Sequence, residues 1–116
     1  MLTGAILGLM RQLAMDIIVL TEEISDTEFI SSRLTRTETL RLLKSVSETA
    51  KTLPEETREL LHEIDWATWL ALPMVLESPS NHPLQIWVAI KELTPMTVQQ
   101  LNGYKKVHPE LFSIVP

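Results

Sequence analysis

Residues 64–87 of the 116-residue chain read IDWATWLALPMVLESPSNHPLQIW, and this stretch carries the strongest structural signal in the sequence. Asp65 suits the N-terminus of a helix, because its carboxylate can accept hydrogen bonds from the free backbone N–H groups of the first turn. In the eleven residues from Trp66 to Leu76, Thr68 is the only polar side chain. A helix that is apolar all round must be covered on every side. A chain of this length rarely covers such a helix alone, so we expect a partner surface.

The apolar run is followed by a turn and by the start of another helix. Residues 77–82, ESPSNH, are composed like a turn, because short polar side chains bond to their own backbone. Pro83 suits the first position of a helix that is predicted to reach about Leu93. Pro73, inside the apolar run, lacks a backbone N–H and is therefore expected to kink or end its helix.

The rest of the chain also predicts helices and no strand. Apolar residues recur every three to four positions over residues 4–24, which predicts a long amphipathic helix. Residues 35–38, TRTE, form a capping-box signature and predict the start of a helix that reaches about Leu53. Two short helices are predicted at residues 26–30 and 54–62.

A last helix is predicted to begin at Thr94-Pro95 and to end at Asn102-Gly103. We therefore expect an all-α fold, an up-and-down helical bundle with short extra helices, over residues 1–102. Residues 103–116 are predicted to form a C-terminal tail. The apolar residues of this tail are Leu111, Phe112, Ile114 and Val115.

Composition limits the possible functions. The net charge is −5, which opposes affinity for nucleic-acid backbones, so DNA binding is not expected. The absence of cysteine excludes a disulfide scaffold, a thiol nucleophile and a cysteine-ligated zinc site. The three histidines are widely separated and form no zinc-type spacing, so neither a metal nor another cofactor is expected.

The apolar N-terminus favours neither a signal peptide nor a membrane span. No positive charge precedes the apolar run, and Arg11, Gln12 and Asp16 interrupt it. We therefore expect a cytoplasmic protein that does not bind a membrane.

With its flanks, the tryptophan-rich stretch resembles the HepT-like branch of the HEPN superfamily. Ile64-Asp65-Trp66 and Ile86-Trp87 are similar to the Ile-Pro-Trp opening and the downstream Val-Trp of that family. Residues 47–54, SETAKTLP, resemble a further family stretch, and the similarity covers roughly residues 13–101. The resemblance implies a HEPN-like helical fold. HepT-like proteins are toxins whose partner antitoxin is a minimal nucleotidyltransferase.

The active motif of that family is altered in this chain. At the spacing of the family's Arg-x4-His-x-Tyr motif, this sequence has Pro73, Ser78 and Ser80. Because all three chemically active positions are replaced, the resemblance implies the fold and argues against ribonuclease activity. The family tyrosine accepts AMP from the partner enzyme, and the hydroxyl of Ser80 could accept AMP in its place.

A rebuilt active site remains an alternative hypothesis. His82 could act as a displaced general base, although it also suits an ordinary cap or loop position. Ser78 could act as a nucleophile only beside such a base. Every arginine lies at or before Arg58. The rebuilt site would therefore need His82 or Ser78 together with a lysine or an arginine from the first half, such as Arg41 or Arg58. This alternative is a HEPN-type ribonuclease toxin that binds RNA.

The favoured hypothesis is a non-catalytic HepT-like interaction protein of toxin–antitoxin type. It would act as a homodimer and bind a protein partner, either a minimal nucleotidyltransferase or a toxin. A structural subunit of an unrelated assembly is a third hypothesis. The predicted interface residues are Trp66, Trp69, Leu70, Pro73, Met74 and Trp87.

Overall fold

The computed structural model describes residues 3–112, and every regular element in that range is helical. The helices are α1 (Thr3–Thr21), α2 (Asp26–Ser31), α3 (Arg33–Lys51), α4 (Glu55–Leu60), α5 (Trp66–Leu76), α6 (Pro83–Val88) and α7 (Thr94–Val107). Short 3-10 turns cover Pro79–Asn81 and Pro109–Phe112, and a π-helical segment, Ala89–Leu93, joins α6 to α7. The predicted all-α class is confirmed.

The long helices pack around one apolar core. Helix α1 packs against both α3 and α7, and α3 also packs against α5. Leu7, Met10 and Ile17 of α1 are fully buried at spacings of three to seven residues, and Leu43 and Val46 of α3 face them in the core. Burial of such side chains removes apolar surface from water, which is the main favourable contribution to folding. The predicted helical bundle is confirmed.

Helix α5 begins as the sequence predicts. The Asp65 carboxylate accepts hydrogen bonds from the backbone N–H of Thr68 at 3.1 Å and from its hydroxyl at 2.7 Å. Pro73 was expected to kink or end the helix, and it does not end it, because α5 continues to Leu76. Pro73 cannot donate to the carbonyl of Trp69, and the Ser47 hydroxyl of α3 donates to that carbonyl instead, at 2.7 Å. The neighbouring helix therefore replaces the hydrogen bond that proline removes.

The predicted break near Leu93 is also wrong, because the chain remains helical from Pro83 to Val107. Pro95 has no N–H, and its ring would clash with the preceding turn of a regular α-helix. The helix widens just before it: the backbone N–H of Thr94 bonds to the carbonyl of Ala89, five residues back. The Thr94 hydroxyl donates to the same carbonyl at 2.7 Å. The π-helical segment thus accommodates the proline.

Helix α7 extends beyond its predicted end. Asn102-Gly103 does not end it, and the predicted domain boundary after Asn102 falls inside α7. Tyr104, from the predicted tail, accepts a hydrogen bond from the Glu63 backbone N–H at its hydroxyl, at 3.1 Å. The tail residues Leu111 and Phe112 pack against the core. Ile114 and Val115 lie outside the described residues.

Helix α3 begins two residues before the predicted capping box. Ser32 occupies the N-cap position, and its hydroxyl bonds to the Thr35 hydroxyl at 3.0 Å. Glu38 forms an ion pair with Arg41 at 2.5 Å instead of returning to the N-terminus of the helix. The capping-box pattern therefore predicted the helix but not its first residue.

Helix α1 is long and apolar enough, by length and composition alone, to cross a membrane, with a mean hydropathy of 1.5. Core helices of soluble proteins and N-terminal signal sequences meet the same criteria, and seven residues of α1 are buried in this fold. Arg11, within α1, donates from Nε to Oδ1 of Asn102 on α7 at 2.7 Å. The cytoplasmic location stays a prediction.

Candidate functional site

Trp66 and Trp69, two predicted interface residues, lie in the core of their own chain. Trp69 is fully buried and Trp66 is 9% exposed. The indole N–H of Trp66 donates to the carbonyl of Leu61 at 3.0 Å, and that of Trp69 donates to the hydroxyl of Thr97 at 3.0 Å. The interface prediction is therefore corrected for these two tryptophans, because their own chain already covers them.

The opposite side of α5 is apolar and open to solvent. Ala67, Ala71 and Met74 are exposed, and Leu70 is half-buried between them. Their spacing places all four on one side of a helix, here called the outer face of α5. Met74 is 76% exposed. The bundle thus covers one side of α5 and leaves the other uncovered, and the interface role of Leu70, Met74 and the half-buried Pro73 stays a prediction.

A groove of about 620 Å³ lies between α2, the first turns of α3 and the segment that runs from Pro79 into α6. We call it the α2–α6 groove. Its walls are mostly apolar, with two charged side chains and one hydroxyl among them. The lining residues are Asp26, Phe29, Ile30, Arg36, Leu40, Pro79, Ser80, Pro83, Leu84, Ile86 and Trp87.

Two residues singled out from the sequence, Ser80 and Trp87, line this groove. Ser78 and His82 flank Ser80 in the chain but are not part of the lining. Within residues 3–112, no side-chain hydrogen bond links either serine to His82 or to another base. A serine nucleophile requires an adjacent base to remove its proton. The described geometry therefore does not bring these candidate residues together as a catalytic group.

The two arginines considered for a rebuilt site are bound elsewhere. Arg41 forms hydrogen bonds with Glu38, and these bonds lower the pKa of the Glu38 carboxyl below its usual value. Arg58 donates to the carbonyl of Ala50 at 3.5 Å. Neither makes a hydrogen bond or ion pair with His82 in the described part of the chain.

Trp87 forms an aromatic wall of the groove and contacts Phe29 and Lys91. Its ring centroid lies 5.6 Å from that of Phe29 on α2, with the planes at 42°. The ammonium of Lys91 lies 5.1 Å from the centroid of the Trp87 ring, a cation–π contact. Lys91 also donates to the carbonyl of Thr21 at the end of α1, at 2.5 Å. These contacts link Trp87 to α2 and, through Lys91, to the end of α1.

Arg36 is a groove residue that the sequence did not single out. It is half-buried, and its Nη1 donates to the carbonyl of Ile30 near the end of α2. No acidic side chain lies within ion-pair distance of it among residues 3–112. No local pattern marks Arg36, because the other wall of its groove is contributed by residues more than forty positions away in the chain.

Comparison of the chain with models of known protein families, with curated proteins and with solved structures finds no match. Among the described residues, no three His, Asp or Glu side chains gather into a group that could hold a metal ion. The fold and site define an all-α helical bundle with an apolar outer face and an apolar groove.

Proposed function

We propose that this chain is a helical interaction protein that forms a homodimer through the outer face of α5. The observation that supports this proposal is the solvent-exposed apolar face formed by Ala67, Leu70, Ala71 and Met74. Exposed apolar patches on soluble proteins commonly mark interaction surfaces. A two-fold axis allows the same face of two copies to meet. A dimer would bury this face without requiring a second kind of surface.

The resemblance to HepT-like proteins supports the same arrangement. Members of that family pair their active-motif helices across a two-fold axis, and the corresponding helix here is α5. We therefore propose a non-catalytic HepT-like role of toxin–antitoxin type in the cytoplasm. A minimal nucleotidyltransferase or a toxin is the proposed protein partner. The all-α bundle is compatible with this family, and the replaced motif positions Pro73, Ser78 and Ser80 favour binding over catalysis.

The dimer proposal predicts that Met74→Glu converts the protein into a monomer. In the dimer each glutamate would lose its hydration against an apolar surface, which is strongly unfavourable for an unpaired charge. Light scattering coupled to size exclusion, at micromolar concentration, should give the mass of two chains for the wild type and of one chain for the variant.

Val19→Glu is the matched control for this substitution. Val19 is 66% exposed but lies on α1, away from the outer face of α5. We expect this control to remain a dimer, and circular dichroism should show the same helix content in all three proteins. A monomeric wild type, or a Met74→Glu variant that remains dimeric, contradicts the proposed interface.

We further predict no ribonuclease activity by the HEPN-type mechanism. The arginine and histidine of that mechanism stabilise charge and transfer a proton, and each such group typically supplies roughly 10²–10⁴-fold in rate. Pro73 and Ser78 at those positions can do neither. The purified protein and a His82→Ala variant should both leave RNA intact. Robust cleavage by the wild type that disappears in His82→Ala would establish the rebuilt-site alternative.

A further inference from the structure

The α2–α6 groove has the size and the wall chemistry of a small-molecule site. Its volume of about 620 Å³ lies within the range of about 300–1,000 Å³ that is usual for ligand pockets. Such pockets have mostly apolar and aromatic walls with a few polar groups that fix orientation. Ile30 and Leu84 on its rim are 56% and 72% exposed, so a ligand would cover apolar surface that is now in contact with water.

The polar groups of the groove indicate which end of a ligand is charged. Arg36 uses one of its N–H groups for the carbonyl of Ile30, which leaves further donors on the same guanidinium. It has no acidic partner in the described part of the chain. A half-buried, unpaired guanidinium beside an apolar wall is complementary to a carboxylate, which it can bind in a bidentate manner.

Asp26 adds a negative charge to the lining of the same groove. Asp26 is the first residue of α2, about one helical turn before Ile30, and it also lines the groove. Its carboxylate accepts the backbone N–H of Thr27 at 2.8 Å and has no cationic partner among residues 3–112. This carboxylate on the groove wall disfavours a ligand that carries more than one negative charge.

We propose that the α2–α6 groove binds an amphiphilic monocarboxylate, with the carboxylate on Arg36 and an aliphatic chain against Phe29, Leu84 and Trp87. This ligand binding does not depend on the proposed dimer, because no residue of the outer face of α5 lines the groove. Each further buried methylene of the chain is worth a roughly fourfold gain in affinity.

The test is a calorimetric titration of the protein with decanoate below its micellar concentration. The same titration with octanoate and dodecanoate measures how affinity depends on chain length. We expect saturable binding of one ligand per chain. Affinity should rise about fourfold per methylene. Decanol and the matching dicarboxylate should both bind at least about tenfold more weakly than decanoate. Decanol lacks the charge that pairs with Arg36, and the dicarboxylate would place its second charge against the apolar wall of the groove.

Two variants locate the carboxylate. Arg36→Gln should weaken decanoate binding by about tenfold or more, because a charge-assisted hydrogen bond is lost, and should leave decanol binding unchanged. Arg33→Gln, an exposed arginine of α3 outside the groove, should change neither. Equal affinity of the wild type for decanoate and decanol, or unchanged decanoate binding by Arg36→Gln, overturns the proposal.

Tryptophan fluorescence locates the aliphatic chain. A decanoate brominated at its terminal carbon quenches a tryptophan that it contacts, and of the three tryptophans only Trp87 lines the groove. Quenching should be strong in the wild type and lost in Trp87→Phe, although calorimetry still detects binding. Quenching that persists in Trp87→Phe places the ligand elsewhere and overturns the proposal. Repeating the decanoate titration on the Met74→Glu variant measures ligand binding independently of the proposed dimer. A failure of the dimer proposal can then be distinguished from a failure of the ligand proposal.

Discussion

Trp69→Ala is expected to lower the free energy of unfolding by about 3–5 kcal/mol, the range for truncation of a buried aromatic side chain. Trp69 is fully buried and is bonded to two other helices. Its indole N–H donates to Thr97 of α7 at 3.0 Å, and its carbonyl accepts from Ser47 of α3 at 2.7 Å. Truncation would leave a cavity at the point where α3, α5 and α7 meet. Because domains of this size are stable by only about 5–15 kcal/mol, this variant should lose a large fraction of its stability.

Urea denaturation followed by circular dichroism measures this effect. Trp69→Phe keeps a buried ring but removes the hydrogen bond to Thr97, so it should lie between the wild type and Trp69→Ala. Met74→Ala, on the exposed side of the same helix, should change the unfolding free energy of the separated chain by no more than about 0.5 kcal/mol. If Trp69→Ala lowers the free energy of unfolding by less than about 1 kcal/mol, the Trp69 side chain does not stabilise the core as proposed.

The sequence predicts helices well where the determining interactions are local. Asp65 caps α5 through a residue three positions away, and this contact was predicted from the residue type alone. Pro73 was expected to kink or end its helix and Pro95 to start one, yet the chain is helical on both sides of each proline. The hydrogen bond that compensates for Pro73 comes from Ser47, which is 22 positions away from the carbonyl it serves. No local pattern contains that information.

The candidate site was only partly predictable for the same reason. A helix that is apolar on every side has no preferred face, so the sequence could not show that Trp66 and Trp69 point inwards and Met74 outwards. Ser80 and Trp87 were singled out, and both line the groove. The opposite wall comes from α2 and α3, so the groove and its Arg36 depend on packing between distant segments.

The compensation between Ser47 and Pro73 leads to a second prediction with a large effect. Ser47→Ala should lower the free energy of unfolding by about 1–3 kcal/mol, because the buried carbonyl of Trp69 loses its hydrogen-bond donor. In a Pro73→Ala background, the new backbone N–H at position 73 can donate to the Trp69 carbonyl. Ser47→Ala should then lower the free energy of unfolding by much less. Pro73→Ala alone should be stabilising, since alanine is favoured over proline inside a helix and the carbonyl can accept two hydrogen bonds.

Urea denaturation of the wild type, both single variants and the double variant completes a thermodynamic cycle that isolates this coupling. Ser45→Ala is the matched control, because Ser45 is a half-buried serine of the same helix whose hydroxyl does not donate to the Trp69 carbonyl. It should change the unfolding free energy by no more than about 0.5 kcal/mol in either background. If Ser47→Ala has the same effect with proline and with alanine at position 73, the serine does not replace the missing proline N–H. The continuation of α5 to Leu76 would then require a different explanation, with the packing of its apolar residues against α3 as the remaining stabilising interaction.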